Sequence, residues 1–330
     1  MIPLDKLKAI NHVVVHNDAD GVASAMIIKD VLPEVKVSVV AYNSPEHDNM
    51  PAEPGMAFCD FSPAEPRIQE FVEVGTIVLD HHDKQKFIVD AFGELGVYGE
   101  NDKVEAGAYL AYREVWLPLM EDKRKGLPMS KVASPSASQL MWDSLKARIE
   151  DFARLVSIRD TWQTGHERWR EACETSEALH FWPDERLLCG VPSEDWHSQL
   201  LHLGPMLFQR KLKAAQKCID GGYRWVSAKG TKCIAFVGIY QVSDAAEILD
   251  TELDLVLAFT YYLQEGQCFL RVSCRSHTDW DVGAFARTIP GGGGHKASSG
   301  FQTAFDPAEA PNPYAHLQRM IDDYEASDGS

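Results

Sequence analysis

A strand–helix–strand alternation, repeating about every 20 residues, constrains the fold of this chain most. The segment Gly21–Leu32 carries apolar residues near helical spacing and follows a β-branched run. The strand-like runs around it are short and bounded by polar or glycine residues: His12–His16, Val35–Tyr42, Gly55–Cys59 and Gly75–Leu79. This alternation predicts an α/β fold, with a doubly wound, mainly parallel sheet.

Side chains with metal-binding chemistry directly follow three of these strands. The first strand leads into HNDADG at 16–21, the third into Asp60, and the fourth into DHH at 80–82. In open α/β sheets, sites form beyond the carboxyl ends of the strands. A single DxD or HH pair is usually a solvated turn or a surface feature. The combination at three strand ends instead predicts one shared site if the strands are neighbours.

The residue types at the strand ends select a class of cation. Asp18, Asp20 and Asp60 offer hard oxygen donors, and His16 and His81 offer imidazole nitrogens. Such mixed ligation favours Mn, Co, Fe or Zn over a pure Mg or Ca site. Crowded carboxylates cannot all stay ionised without cations. Two divalent ions about 3.5–4 Å apart, bridged by one carboxylate, would hold them, activate a water and clamp the oxygens of a phosphoryl centre.

Composition excludes several classes of protein. The 330 residues include 32 basic and 49 acidic side chains, and this net charge of −17 argues against a long nucleic acid as the main partner. No apolar run is long enough to span a membrane, and the N-terminus lacks the apolar region of a signal peptide. The seven cysteines contain no CxxC pair, which indicates reduced thiols. We therefore expect a cytoplasmic protein without a membrane partner.

At these motifs the sequence resembles the DHH phosphoesterase superfamily. The N-terminal matches occur in the family's order: HNDADG at 16–21, the aspartate of CDFS at 59–62, DHH at 80–82, and Asp160 of SIRDTW as a further aspartate after a helix. In the C-terminal half, RVSCRS at 271–276 and GGGGHKASSGF at 291–301 are similar to the DHH-associated domain. The resemblance covers most of the chain and is more specific for the superfamily than for any member.

The resemblance also implies roles for individual residues. The implied metal ligands are His16, Asp18, Asp20, Asp60, His81 and Asp160. His16 and Asp18 would hold one ion, Asp20 the other, and Asp60 would bridge both. His81 and Asp160 would complete the ligands of the second ion.

Two further residues of the DHH motif are the predicted catalytic pair. His82 would donate to the substrate phosphate, and Asp80 would support the histidines from behind. The expected cofactors are two divalent ions, with Mn favoured and Mg or Co compatible. The attacking group would be a water activated by the two metal ions, with no covalent intermediate.

The glycine-rich motif of the C-terminal half predicts a phosphate-binding loop. The predicted substrate residues are Arg275, Gly292, Gly293, Gly294, His295, Ser298 and Ser299. Glycines permit close approach of the backbone, whose amides can cradle phosphate, and an arginine can hold a terminal phosphate with two hydrogen bonds. Two serines stand where the family usually has alanines, which adds polarity. A flexible linker is the alternative interpretation of the glycine run.

These motifs divide the chain into three predicted parts. Residues 1–196 form the DHH catalytic domain, 197–220 a connector helix, and 221–330 a smaller α/β DHH-associated domain that binds substrate. The charged segment 118–135 is predicted as a long surface loop, with a lid over the crevice as the alternative.

The predicted function is metal-dependent hydrolysis of short oligonucleotides or of linear or cyclic dinucleotides. A substrate that must reach from the metals to the glycine loop favours such short molecules. An exopolyphosphatase and a RecJ-like single-strand exonuclease remain alternatives, whereas the GGGGH loop disfavours a family II pyrophosphatase. A non-catalytic nucleotide-binding protein is the alternative of another class. The sequence leaves a homodimer open.

Overall fold

The chain forms two units in a computed structural model. It describes residues 2–42, 44–125, 135–181, 195–238, 242–249, 253–264, 266–306, 310 and 312–327. Internal contacts divide the chain into unit 1, Met1–Phe208, and unit 2, Gln209–Ser330. This division falls within the segment predicted as the connector, and the predicted domain limits stay a prediction.

Unit 1 is built on a five-stranded sheet in the order β2-β1-β3-β4-β5. Its strands are β1 His12–His16, β2 Lys36–Val40, β3 Met56–Cys59, β4 Ile77–Asp80 and β5 Gly96–Tyr98. All neighbouring strands pair in parallel, which confirms the predicted doubly wound sheet. From β1 the chain first adds β2 on one side and then β3 on the other. The order therefore reverses beside β1, where a crevice opens at the carboxyl ends of the strands.

Helices cover both faces of this sheet. They are α1 Leu4–Lys8, α2 Ala19–Val31, α3 Pro45–Asp48, α4 Ile68–Glu73, α5 Lys86–Ala91, α6 Gly107–Leu110, α7 Leu117–Lys125, α8 Pro135–Asp160 and α9 Trp169–Phe181, with one π-helical stretch at Ala111–Trp116. Helix α10, Asp195–Asp220, follows them, and its last part belongs to unit 2. Alternate residues of β1 enter two cores because successive strand side chains point to opposite faces. Val13 and Val15 pack with Ile27 and Trp116, whereas Val14 packs on the other face with a group that includes Phe58.

The predicted loop 118–135 is helical in its first part. Helix α7 continues to Lys125, so the loop prediction is wrong there. Residues 126–134 lie outside the described residues. No helix of the described chain combines the length and apolar character needed to cross a bilayer.

Unit 2 is a smaller α/β assembly around a mixed sheet, as predicted. The six strands run in the order β10-β11-β9-β8-β7-β6, and only β7 and β8 pair in parallel. The strands are β6 Tyr223–Val226, β7 Lys232–Val237, β8 Leu255–Gln264, β9 Gln267–Arg275, β10 Gly293–Gly294 and β11 Ser298–Phe305. The helices are α11 Val242–Ile248, α12 Val282–Arg287 and α13 Pro313–Ser327.

A carboxylate on α13 fastens this helix to the sheet of unit 2. Glu325 accepts hydrogen bonds from Ser227 Oγ at 2.6 Å, from Thr231 Oγ1, and from Trp280 Nε1 at 3.2 Å. Burial acts to raise the pKa of Glu325, but the hydroxyls of Ser227 and Thr231 outweigh it, so the pKa lies below its ordinary value. The ionised form is therefore the one that stabilises the fold.

We expect Glu325→Gln to destabilise the protein by about 1–3 kcal/mol, because an amide cannot accept all these hydrogen bonds. A depressed carboxyl pKa stabilises the fold above the unfolded value of 4.5, and this contribution disappears as the pH falls. Melting temperatures should therefore differ clearly between wild type and variant at pH 7 and converge at an acidic pH below the lowered pKa of Glu325. The exposed neighbour Asp323, changed to Asn, is the control. Equal differences at both pH values would contradict this account.

Candidate metal centre

Three parallel strands bring the predicted ligands to one edge of the sheet. Val15 of β1 lies opposite Cys59 of β3, which in turn lies opposite Leu79 of β4. The next residue along each of these strands is therefore at the same edge. Those residues are His16, Asp60 and Asp80, so the three strand ends lie side by side, as expected from the strand-end rule.

His81 lies at the centre of a group of carboxylates. Its Nε2 is 3.1 Å from Asp60 Oδ1, 3.0 Å from Asp160 Oδ2 and 3.8 Å from Asp20 Oδ2. Its Nδ1 donates to Asn101 Oδ1 at 2.8 Å. Because Nδ1–H is hydrogen-bonded to Asn101, Nε2 is the nitrogen that faces the acids and can bind a cation.

A second group of ligands lies around His16. Its Nδ1 is 2.5 Å from Asp18 Oδ2, while Asp18 Oδ1 accepts from the backbone amide of Gly21 at 3.0 Å and caps helix α2. The clusters whose ligand atoms all lie within 4.8 Å of one another are His16–Asp18–Asp60, Asp20–His81–Asp160 and Asp60–His81–His82. Asp60 is shared by the first and the last cluster, as expected of a bridging carboxylate.

Backbone amides at the start of α6 hold Asp20. The amide of Gly107 donates to Asp20 Oδ2 at 2.6 Å, and the amide of Ala108 donates to Oδ1 at 2.9 Å. Both carboxylate oxygens are thus oriented by a helix N-terminus. Asp20 is 1% exposed and could not turn away from the cluster without losing both bonds.

Asp60 shows the features of a residue adapted to a cation. Its backbone has a φ of 56°, a left-handed conformation that side chains other than glycine adopt at a cost. The residue is 1% exposed, and its Oδ2 has no hydrogen-bond partner among the described residues. An orphaned, buried carboxylate oxygen beside three other acids fits a site for a divalent ion.

The pKa values of the clustered acids and of His81 also indicate a site for divalent ions. Burial and the neighbouring Asp160 raise the pKa of Asp20 to about 7. Burial and Asp18 raise the pKa of Asp60 well above its ordinary value. For His81, burial acts downward, but the hydrogen bond to Asp160 raises the pKa to about 10. Without cations the cluster therefore holds extra protons, which divalent ions would displace.

Asp80 supports His82 and lies apart from the ligand clusters. It is fully buried and accepts from Ser62 Oγ at 2.5 Å, Tyr42 OH at 3.2 Å, and both the amide and Nδ1 of His82 at 3.0 and 2.7 Å. Burial opposes these bonds, which nevertheless lower the pKa of Asp80. Because Nδ1 of His82 is engaged, Nε2 is left for a substrate. This geometry agrees with the predicted roles, which stay predictions.

Sequence reasoning missed four residues that orient side chains of the site, either the candidate ligands or Asp80. They are Tyr42, Ser62, Asn101 and Gly107. A signal existed for Ser62, which stands two residues after Asp60 in the matched motif CDFS. For the other three, no pattern in the sequence connects them to the site.

In unit 2 the glycine run forms a packed turn. Gly293 and Gly294 pair with β11, and Gly294 has a φ of 143°, where an added Cβ would lie 2.5 Å from Ser298 O. Ser299 is buried, and its hydroxyl donates to Val282 O at 2.7 Å. The flexible-linker alternative is thereby excluded.

The other predicted substrate residues lie near this turn. Arg275 ends β9 opposite Ser298, and its Nε donates to Ser243 Oγ at 3.2 Å. Gly292 lies against Ala286 O, where a Cβ would approach to 2.2 Å, and His295 is exposed. Their roles in binding substrate stay predictions.

Comparison with known proteins identifies the fold. No protein-family model and no curated protein matches the chain. Among solved structures, the exonuclease RecJ bound to manganese is 18% identical, with a TM-score of 0.54 over 97% of this chain and 92% of that one.

Two further structures agree with this likeness. RecJ in complex with Mn²⁺ from Thermus thermophilus is 18% identical, with a TM-score of 0.52 over 99% of this chain and 55% of that one. The DHH domain of a member of the s1p family of ribosomal proteins is 12% identical, with a TM-score of 0.50 over 91% and 84%. The chain therefore shares the α/β fold of these RecJ and DHH-domain structures.

Proposed function

We propose that the chain is a metal-dependent phosphoesterase that hydrolyses short oligonucleotides or linear or cyclic dinucleotides. The observation that carries this proposal is the convergence of the other five predicted ligands with Asp60, whose buried Oδ2 has no hydrogen-bond partner in the described part of the chain. The likeness to manganese-bound RecJ supports a DHH-type hydrolase. We further propose two divalent ions, with Mn preferred and Mg or Co compatible.

The residues divide naturally between two ions. His16, Asp18 and Asp60 would hold one, and Asp20, His81 and Asp160, again with Asp60, would hold the other. When bound, such ions lower the pKa of a water and neutralise charge on a phosphoryl group.

Hydrogen bonds from other groups of the chain hold the side chains of this site in position. Asn101 fixes the ring of His81, and the start of α6 fixes Asp20. Burial acts to lower the pKa of His82, but the bond to Asp80 outweighs it and the pKa is raised. His82 can therefore keep a proton on Nε2 and donate it in a hydrogen bond to a phosphate oxygen of the substrate.

Short substrates fit the charge of the chain better than long ones. The net charge of −17 would repel an extended polyanion at a distance, whereas a dinucleotide carries few phosphates. The cytoplasmic location and the homodimer stay predictions.

A panel of substrates tests the proposal. The purified full chain with Mn²⁺ should convert linear dinucleotides to mononucleotides, with kcat/KM at least about tenfold above that for a 20-nucleotide single strand, pyrophosphate or polyphosphate. Chromatography of the products measures each rate. Preference for the long strand would favour the RecJ-like exonuclease, and preference for polyphosphate the exopolyphosphatase. Binding of dinucleotide without any turnover would favour the non-catalytic alternative.

A further inference from the structure

A cavity in unit 1 adjoins the metal centre and plays no part in the mechanism above. Its volume is about 620 Å³, within the range of pockets that bind small molecules. Three segments line it, each following a strand of the central sheet: Tyr42 and His47 after β2, residues 63–67 after Asp60, and residues 84, 85, 87 and 88 after His82. The same chain segments that build the metal centre therefore continue into its walls.

Tyr42 is the wall that the cavity shares with the metal centre. Its hydroxyl donates to Asp80 Oδ2 at 3.2 Å, and its ring centroid is 5.3 Å from that of His16 and 5.9 Å from that of His82. A substrate whose phosphate lies at the metal ligands can thus place its next group against this ring. The cavity is positioned for a part of the substrate adjacent to the reacting phosphate.

The walls are held in place before any ligand binds. The ring of Phe61 lies 4.3 Å from that of Tyr42 and 4.8 Å from that of His47. His47 Nε2 is hydrogen-bonded to Ser62 O at 3.0 Å. Arg67 is paired with Glu70 at 2.5 Å and donates to the carbonyl of Met50. A preformed pocket avoids the entropic cost of ordering its walls on binding.

The chemistry of the walls matches a flat, aromatic ligand. Phe87 is 54% exposed although it is a large aromatic side chain, and Pro63, Ala64 and Pro66 add apolar surface. Nucleobases stack on such exposed rings without regard to sequence. An exposed aromatic ring in a pocket beside a phosphoesterase centre is therefore placed to hold a base.

The charged groups of the cavity limit the number of phosphates that the ligand can carry. Lys84 is exposed and forms no ion pair within the described ranges, so its ammonium group is available to one phosphate. Asp48 and Glu65 also line the cavity and would repel a polyanion. This balance suits a nucleoside with a single phosphate and disfavours polyphosphate.

We propose that this cavity binds one nucleoside of the substrate, with its base stacked on Phe87 and the adjoining phosphate near Lys84. The proposal rests on the proposed function, since it names a subsite for the nucleotide substrates of that centre. It also gives a reason for short oligonucleotides to be preferred over polyphosphate.

Kinetics of Phe87→Ala test the stacking contact. Loss of one base–aromatic stack should raise KM for a dinucleotide between about fivefold and a hundredfold and leave kcat within about twofold. Phe87→Trp should keep KM near the wild-type value because it preserves the ring. Leu140→Ala, which removes another exposed hydrophobic side chain of unit 1, is the matched control and should leave KM unchanged. A KM increase with Phe87→Trp as large as that with Phe87→Ala would overturn the stacking role.

Direct binding separates this proposal from the proposed function. Saturation-transfer NMR with AMP on the full chain in EDTA should show signals from the base that Phe87→Ala abolishes. Ribose 5-phosphate, which lacks a base, should bind Phe87→Ala like wild type but bind Lys84→Ala more weakly.

Failure of the proposed function and failure of the nucleoside site give different experimental results. If wild type hydrolyses no phosphoester but AMP binding depends on Phe87, the nucleoside site stands and the proposed function is wrong. If wild type hydrolyses dinucleotides while Phe87→Ala and Lys84→Ala leave both KM and AMP binding unchanged, the nucleoside site is refuted and the proposed function stands.

Discussion

Asp60→Asn should abolish hydrolysis and, in the metal-free protein, raise the melting temperature. The loss of activity is expected because Asp60 is shared between two ligand clusters, so one substitution weakens both proposed ions. Charge stabilisation by bound metal is worth several kcal/mol in the transition state, and each 1.36 kcal/mol is a factor of ten. We therefore expect a decrease in kcat/KM of about a thousandfold or more on the best dinucleotide.

The gain in stability has a separate cause. In the absence of cations Asp60 is a buried acid among Asp18, Asp20 and Asp160, and its raised pKa reflects the cost of charging it there. Above the ordinary pKa of a carboxyl group, folding must either bury this charge or add a proton to it, and both cost free energy. Asparagine keeps the shape of the side chain and needs neither, so this cost disappears. In EDTA the variant should therefore melt at a higher temperature than wild type.

Manganese should reverse that order. A ligand that binds only the folded state stabilises it by about 2.7 kcal/mol at a hundred times its Kd. Wild type should gain this stability as Mn²⁺ is added, whereas Asp60→Asn should respond weakly. The melting temperature of wild type should therefore rise above that of the variant as the Mn²⁺ concentration increases. Scanning calorimetry or dye-based melting with EDTA and with a Mn²⁺ series measures both effects.

Asp83→Asn is the matched control for this experiment. Asp83 follows the DHH motif, is exposed, and belongs to none of the ligand clusters, so its variant should keep both hydrolysis and the Mn²⁺ response. Hydrolysis or a manganese response of wild-type size in Asp60→Asn would contradict the metal centre itself.

The residues of the candidate metal centre could be identified from the sequence because their positions follow from local rules. A strand end is visible in a run of apolar residues, and parallel neighbours place their carboxyl ends together. His16, Asp60 and His81 are each within one residue of such an end. The resemblance then supplied Asp160, which lies at the end of α8 and far along the chain.

The residues that orient the candidate ligands and Asp80 could not be predicted in this way. Asn101 follows β5, whose three residues are too few to show a periodic pattern. Tyr42 reaches Asp80 across 38 positions of sequence, and the amide of Gly107 reaches Asp20 across 87. Such contacts depend on how helices pack on the sheet, and nothing in the local sequence encodes that packing.

Gly107→Ala should weaken metal binding although it changes no ligand. The Cβ of an alanine here would lie 2.4 Å from Asp60 Cβ, 2.9 Å from Asp60 Cα and 2.7 Å from Asp20 Oδ2. Such distances are shorter than atoms tolerate, and two of these three atoms belong to Asp60, whose strained backbone leaves it little room to move. The start of α6 must shift instead, and the amide bonds that orient Asp20 shift with it.

Changes to groups that orient metal ligands typically reduce metal affinity by about 10- to 100-fold. We expect a decrease of that size in Gly107→Ala, measured as the Mn²⁺ concentration that gives half-maximal activity. Because all ligands remain, excess Mn²⁺ should restore part of the activity, whereas it should not rescue Asp60→Asn. Gly165→Ala is the control, since its Cβ would meet no atom of the described residues within 4 Å. Wild-type manganese dependence in Gly107→Ala would mean that close packing of α6 on the two carboxylates does not set the geometry of the site.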